Sequence, residues 1–173
     1  YTMYQRNTRK KIKVRMAALA KEGKAQWFEV WLTDARRRTL IFSTLVEGTL
    51  AKPTKILRAV VQPPGQRALL LPDKLAAGQL PTFSEGPGPK ATLVATEQIT
   101  VGAGTFKAKK YKRTHSGMTT HVWFTKGVKG WPMVKLVNSR VIMELAGHGK
   151  DARTGIKGKP VKMSKGLIKQ LGL

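Results

Sequence analysis

A chain of 173 residues with 41% apolar residues and four tryptophans is long enough to bury a real core and too aromatic to be disordered. Thirty-three lysines and arginines against nine acids give a net charge of +24, which predicts attraction to a polyanion or an anionic membrane. With no cysteine, a disulfide framework and thiolate chemistry are excluded, and no apolar run approaches the roughly 18 residues of a transmembrane helix.

The chain begins at Tyr1 rather than Met and is read as having lost an upstream segment, so the missing signal peptide is uninformative. Six basic residues fall between Arg6 and Arg15. From Lys11 the pattern has period two, with Ile12, Val14 and Met16 on one face and Lys11, Lys13 and Arg15 on the other, which predicts a strand with one wet face. A helix competes over 16–19. Residues 21–24 form a turn, and AQWFEVWLTD (25–34) returns as a strand with Trp27, Glu29 and Trp31 on one side and Phe28, Val30 and Leu32 on the other. After a turn at 34–37 come RTLIFSTLVEG (38–48), a break at 49–53, and KILRAVVQ (55–62), favoured as a strand over a short amphipathic helix. Pro63-Pro64-Gly65 then turns the chain into RALLLP (67–72). Residues 73–90, with Pro81, Pro87 and Pro89 among their members, form a long loop holding one helical turn at 74–77.

Residues 96–149 read as successive short strands rich in Val, Ile, Thr, Phe, Trp and Tyr. Breaks fall at Gly102-Ala103-Gly104, at His115-Ser116-Gly117, between Gly127 and Pro132, and at Asn138-Ser139. Loops of two to six residues are too short for parallel crossovers, so neighbouring strands are antiparallel. KAKKYKR (107–113) places Lys107, Lys109 and Tyr111 on one side and Lys110 and Lys112 on the other, a pattern suited to a sheet edge. The expected organisation is a β-sheet domain over 1–149 and a basic C-terminal tail over 150–173, with a short helix at 164–171.

Motifs for chemistry are sparse. His115, His121 and His148 lack metal-ligand spacing, no phosphate-cradling loop or nucleophile elbow is present, and the carboxylates are scattered singly. No enzyme activity, metal or cofactor is expected. Trp27, Trp31, Phe42, Trp123, Trp131, Met133 and Met143 are either core or the lining of a cavity. A single sheet of seven to nine strands with apolar residues on both sides and few helices leaves apolar surface to cover; a sheet curling round a cavity would do so, and Met and Trp suit an acyl chain.

The run TEQITVGAGTFKAKKY (96–111), then VWFT (122–125), PMVKL (132–136) and MELAGHG (143–149), with WFEV (27–30) upstream, resembles bacterial envelope proteins of the lipoprotein-carrier superfamily (LolA/LolB-like). The resemblance covers about residues 10–150 and rests on hairpin-level patterns. It implies a mainly β fold: a strongly curved antiparallel half-barrel of successive hairpins, with minor helices or loops over a concave, apolar cavity. This chain is more basic and lacks clear lid helices.

The resulting expectation is a non-enzymatic, periplasmic cell-envelope protein that binds lipid or acylated protein and associates with the inner or outer membrane. Ile12, Val14, Met16, Trp27, Trp31, Phe42, Trp123, Met133 and Met143 would line the cavity. Arg9, Lys10, Lys11, Arg36, Arg37, Arg38, Lys109, Lys110, Lys112 and Arg113 would dock on an anionic membrane surface, where each basic residue contributes about 1 kcal/mol. The rival expectation is an adaptor for an acidic polymer or partner: envelope polysaccharide, an envelope protein complex, or nucleic acid in a cytoplasmic setting.

Overall fold

The computed structural model describes residues 1–48, 53–72, 90–128 and 131–163. Hydrogen bonds join twelve strands: β1 (Thr2–Gln5), β2 (Lys10–Glu22), β3 (Ala25–Thr33), β4 (Thr39–Gly48), β5 (Pro53–Gln62), β6 (Leu69–Leu70), β7 (Thr92–Val101), β8 (Gly104–His115), β9 (Met118–Phe124), β10 (Met133–Val137), β11 (Val141–Glu144) and β12 (Val161–Lys162). Their order is β12-β6-β5-β4-β3-β2-β1-β11-β10-β9-β8-β7. Antiparallel hairpin pairing dominates, and β12 lies parallel to β6 with Val161 beside Leu69. No helix occurs among the described residues. The mainly β, antiparallel class read from the sequence is the observed one.

Local chemistry explains where the strands stop. The β8–β9 loop has two residues, Ser116 and Gly117, both left-handed at φ 47° and 74°, as a tight hairpin turn twisted with its strands demands. At the β3–β4 turn Asp34 Oδ1 accepts the N–H groups of Arg36 and Arg38, so the side chain satisfies two donors that a ladder would otherwise need. Asn138 does the same between β10 and β11, accepting from Arg140 and Val141.

Several expectations change. There are twelve strands rather than seven to nine, because β1 and the two-residue β6 and β12 join the ladder. Residues 16–19 continue β2 as a strand, not a helix. The lysine-rich β8 is not an edge: it pairs with both β7 and β9, and the outermost strand is β7. A strand inside the sheet tolerates cations on both faces here because Lys107, Lys109 and Lys112 stay exposed and Lys110 lies over the Trp123 ring instead of being buried in hydrocarbon. The helical turn expected at 74–77, the helix expected at 164–171 and nearly all of loop 73–90 lie outside the described residues.

The chain forms two compact units, Tyr1–Val14 with Ser84–Asp151, and Arg15–Phe83 with Ala152–Leu173. In the first, Val101, Ala108, Trp123, Val128, Val134 and Leu145 make a buried cluster, with Phe106 and Val137 packed against it. Val134 sits at the β9–β10 register shift between Met133 and Lys135, which turns it into that cluster. In the second unit β3, β4 and β5 form a continuous ladder, from Ala25–Glu47 to Thr33–Thr39 on one side of β4. Its buried residues include Val30, Trp31, Leu45, Val46, Ala59 and Val60.

Candidate functional site

Residues directly opposite one another in an antiparallel ladder share a face, so the register of the first unit can be followed across its strands. Ile12 pairs with Met3, Met3 with Met143, Met143 with Leu136, Leu136 with Val122, Val122 with Tyr111, and Tyr111 with Leu93. One unbroken apolar row therefore crosses seven strands on a single face. Six interstrand spacings of about 4.8 Å make it roughly 29 Å long along the sheet. Most of its members are half-buried; Met143 is buried and Leu93, at the β7 end, is 51% exposed. Beside the row Phe124 pairs with Met133 and stacks edge-on against Tyr111 at 6.1 Å between centroids. Val14, two residues along from Ile12, adds a buried side chain, and the Tyr1 hydroxyl donates to the Met133 carbonyl at 3.0 Å. Burial pushes the Tyr1 phenol above its ordinary range, so it stays a neutral donor.

Cations stand at both ends of this face. Lys10 precedes Ile12 by two residues on β2, and Lys109 and Arg113 flank Tyr111 on β8. All three are exposed, and Arg9, at φ 52°, is exposed in the adjoining β1–β2 turn. Lys11, Lys110 and Lys112 point to the opposite face, where Lys11 pairs with Tyr4 and Lys112 with His121.

The nine residues expected to line one cavity divide. Ile12, Val14, Met133 and Met143 come together on the row face. Trp123 pairs with Lys110 and Lys135, which places it on the other face of the same strands. There its indole donates to Glu97 Oε1 at 2.6 Å, and the Lys110 and Lys135 ammonium groups lie 5.0 and 6.0 Å from the ring centroid. Met16, Trp27, Trp31 and Phe42 belong to the second unit. Trp27 and Trp31 share a face with Leu45 and Ile41, whereas Phe42 pairs with Val30 on the reverse. Met16 is half-buried on β2.

The two β3 tryptophans contact the chain's own polar groups. Trp27 donates to Glu22 Oε2 at 3.2 Å and lies under the Arg58 guanidinium at 5.2 Å, while Arg15 sits 4.5 Å over Trp31. Between them Glu29, 1% exposed, accepts the Gly155 N–H at 2.8 Å and the hydroxyls of Thr154 and Ser43. Within that unit the Trp27–Trp31 face thus seats part of the C-terminal segment. Arg36, Arg37 and Arg38 occupy the β3–β4 turn, all exposed, with Arg38 paired to Asp34 at 2.7 Å.

Met3, Leu136, Val122, Tyr111 and Leu93 were missed as row members; alternation in MTTHVWF does group Val122 with Phe124, but the register shift at Val134 breaks alternation in MVKLV and sets Met133 and Leu136 on one face. Among the described residues no three His, Asp or Glu side chains gather as metal ligands. No family model matches the chain, and neither a curated protein nor a solved structure does.

Proposed function

We propose that the protein is a non-enzymatic lipid- or lipoprotein-binding component of the cell envelope, taking an acyl chain along the Ile12–Leu93 row. The carrying observation is the register: seven directly paired apolar side chains on one face, with Lys10, Lys109 and Arg113 on that same face. A bilayer core of about 30 Å holds two leaflets, so one chain needs about 15 Å and the row accommodates it. Each buried methylene contributes about 0.8 kcal/mol, and methionine and tyrosine adapt to a chain without fixed shape. The flanking cations complement an anionic head group. The likeness of the hairpin segments to the lipoprotein-carrier superfamily supports the same reading, and with it a periplasmic location and contact with an anionic membrane.

Native mass spectrometry of the purified protein, followed by organic extraction, tests this. A bound species of phospholipid or acyl mass, lost in Leu136→Glu with the fold retained, is the expected result. A clean apo mass together with no binding of a fluorescent fatty acid would overturn it.

The second reading is an adaptor for an acidic polymer, favoured by Lys11, Lys110 and Lys112 on the face opposite the row. Its signature is salt. On DNA, affinity falls log-linearly with salt by a slope of about −0.9 per phosphate neutralised, whereas acyl capture barely changes.

A further inference from the structure

Three loops of the second unit converge on a cleft of about 830 Å³. They are the β3–β4 turn, the β5–β6 turn and the segment following Ala152. Gln62, at the end of β5 and only 9% exposed, ties two of them together. Its Oε1 accepts the Lys157 N–H at 2.8 Å, and its Nε2 donates to the Gln66 carbonyl at 3.0 Å. Arg37, Arg38, Arg67 and Lys157 line the cleft, and among the described residues no Asp or Glu does. Arg38 is held by Asp34; Arg37, Arg67 and Lys157 have no carboxylate partner among the described residues. Arg37 is also kept in a left-handed backbone conformation, at φ 61°.

Converging unpaired cations repel one another, and a buried side chain that fixes two cationic loops in place holds that repulsion. An anion in the cleft removes it. Guanidinium groups offer forked donors matched to phosphate oxygens, and a lysine adds a point charge. A lone phosphate would fill little of such a volume, which lies in the range of small-molecule sites. Ile41, Pro63 and Pro64 are also among the lining residues and offer apolar contact to a ring. We infer that this cleft binds a bisphosphorylated sugar or cyclitol through Arg37, Arg38, Arg67 and Lys157. The inference goes beyond the acyl-chain reading and stands without it, because every residue it uses belongs to the second unit.

Calorimetric titration of the full chain with glucose 1,6-bisphosphate at physiological salt tests the site. One saturable event is expected, weakened at least about ten-fold in Arg67→Ala/Lys157→Ala, whose exposed side chains leave the fold and melting temperature in place. Lys110→Ala/Lys112→Ala removes the same charge from the first unit and should leave the affinity within about two-fold. Absence of saturable binding, or equal weakening in both double variants, would overturn the inference. Flotation with phosphatidylcholine vesicles containing phosphatidylinositol 4,5-bisphosphate separates the sources. Flotation lost in the Arg67/Lys157 variant assigns the ligand to a lipid head group; soluble binding without flotation assigns it to a free phosphosugar. Acyl binding, read by native mass spectrometry, stays intact in that variant, so failure of one reading is distinguishable from failure of the other.

Discussion

Glu29 Oε2 accepts the backbone N–H of Gly155 at 2.8 Å across 126 residues of chain. A carboxylate buried to 1% exposure is tolerable because Thr154 and Ser43 also donate to it, replacing water with three fixed partners. Glu29→Ala leaves those donors unsatisfied and is expected to cost about 1–3 kcal/mol in urea denaturation. It should also speed hydrogen exchange of the Gly155 and Lys157 amides before the core opens. Unchanged exchange at Gly155 would show that the contact anchors nothing.

The same seat explains why position 155 is glycine. A Cβ there would overlap the Trp31 indole nitrogen and lie 3.0 Å from two further ring atoms. Trp31 is buried beneath Arg15 and has little room to yield. Gly155→Ala is expected to destabilise by about 1–3 kcal/mol, as overpacking does, and to change Trp31 fluorescence. A melting temperature equal to the parent's would contradict the close approach.

Arg37 carries a left-handed φ of 61° that a side chain with a Cβ adopts at a cost. Arg37→Gly is expected to gain about 1 kcal/mol of stability by relieving it. The same variant should bind glucose 1,6-bisphosphate more weakly. Opposite signs in the two measurements mark a residue retained for its charge; loss of both would mean that the turn needs Arg37 for folding.

Asp34 gives the β3–β4 turn a pH dependence of defined sign. The Arg38 N–H at 3.0 Å, then the Arg38 side chain, hold its carboxyl below the ordinary range, with the Arg36 N–H assisting. A depressed folded value means the unfolded chain takes up the proton first. The contribution is therefore complete above the ordinary carboxylate pKa and disappears as pH falls through the folded one. NMR titration should find the Asp34 midpoint below the usual range, and Asp34→Asn should flatten that part of the stability–pH curve. An ordinary midpoint would remove the effect.

The hairpins were legible in the sequence because their turns demand particular residues. Ser116-Gly117, Pro63-Pro64-Gly65 and Asn138-Ser139 each interrupt a β-rich run where the structure ends a strand. Faces within strands were legible too, since Trp27, Glu29 and Trp31 do share one side. Which face of one strand continues which face of the next was not. Trp123 was grouped with Met133 and Met143, and Phe42 with Trp27, yet a single-residue offset between strands reverses the whole set. The β1–β11 pairing was equally hidden: Met3 meets Met143 from the far end of the chain, and no local turn announces it. Where residues 154–157 of the basic tail are seated was not legible, because the groups that bind them, Glu29 and Gln62, lie more than ninety residues upstream.

Adjacent residues on β9 give the sharpest check on the row. Val122 pairs with Leu136 and Tyr111 inside it, whereas His121 pairs with Val137 and Lys112 on the reverse face. Both are half-buried on the same strand, so a carboxylate introduced at either starts from a similar degree of exposure. Val122→Glu places a carboxylate in the middle of the apolar row, where desolvating it opposes an acyl chain, and binding of a fluorescent fatty acid should fall at least about ten-fold. His121→Glu sets a carboxylate opposite Lys112, a favourable cross-strand pair, and should leave fatty-acid binding within about two-fold. Equal losses in the two variants would mean that binding follows stability rather than face. Loss confined to His121→Glu would move the acyl site to the Trp123 side.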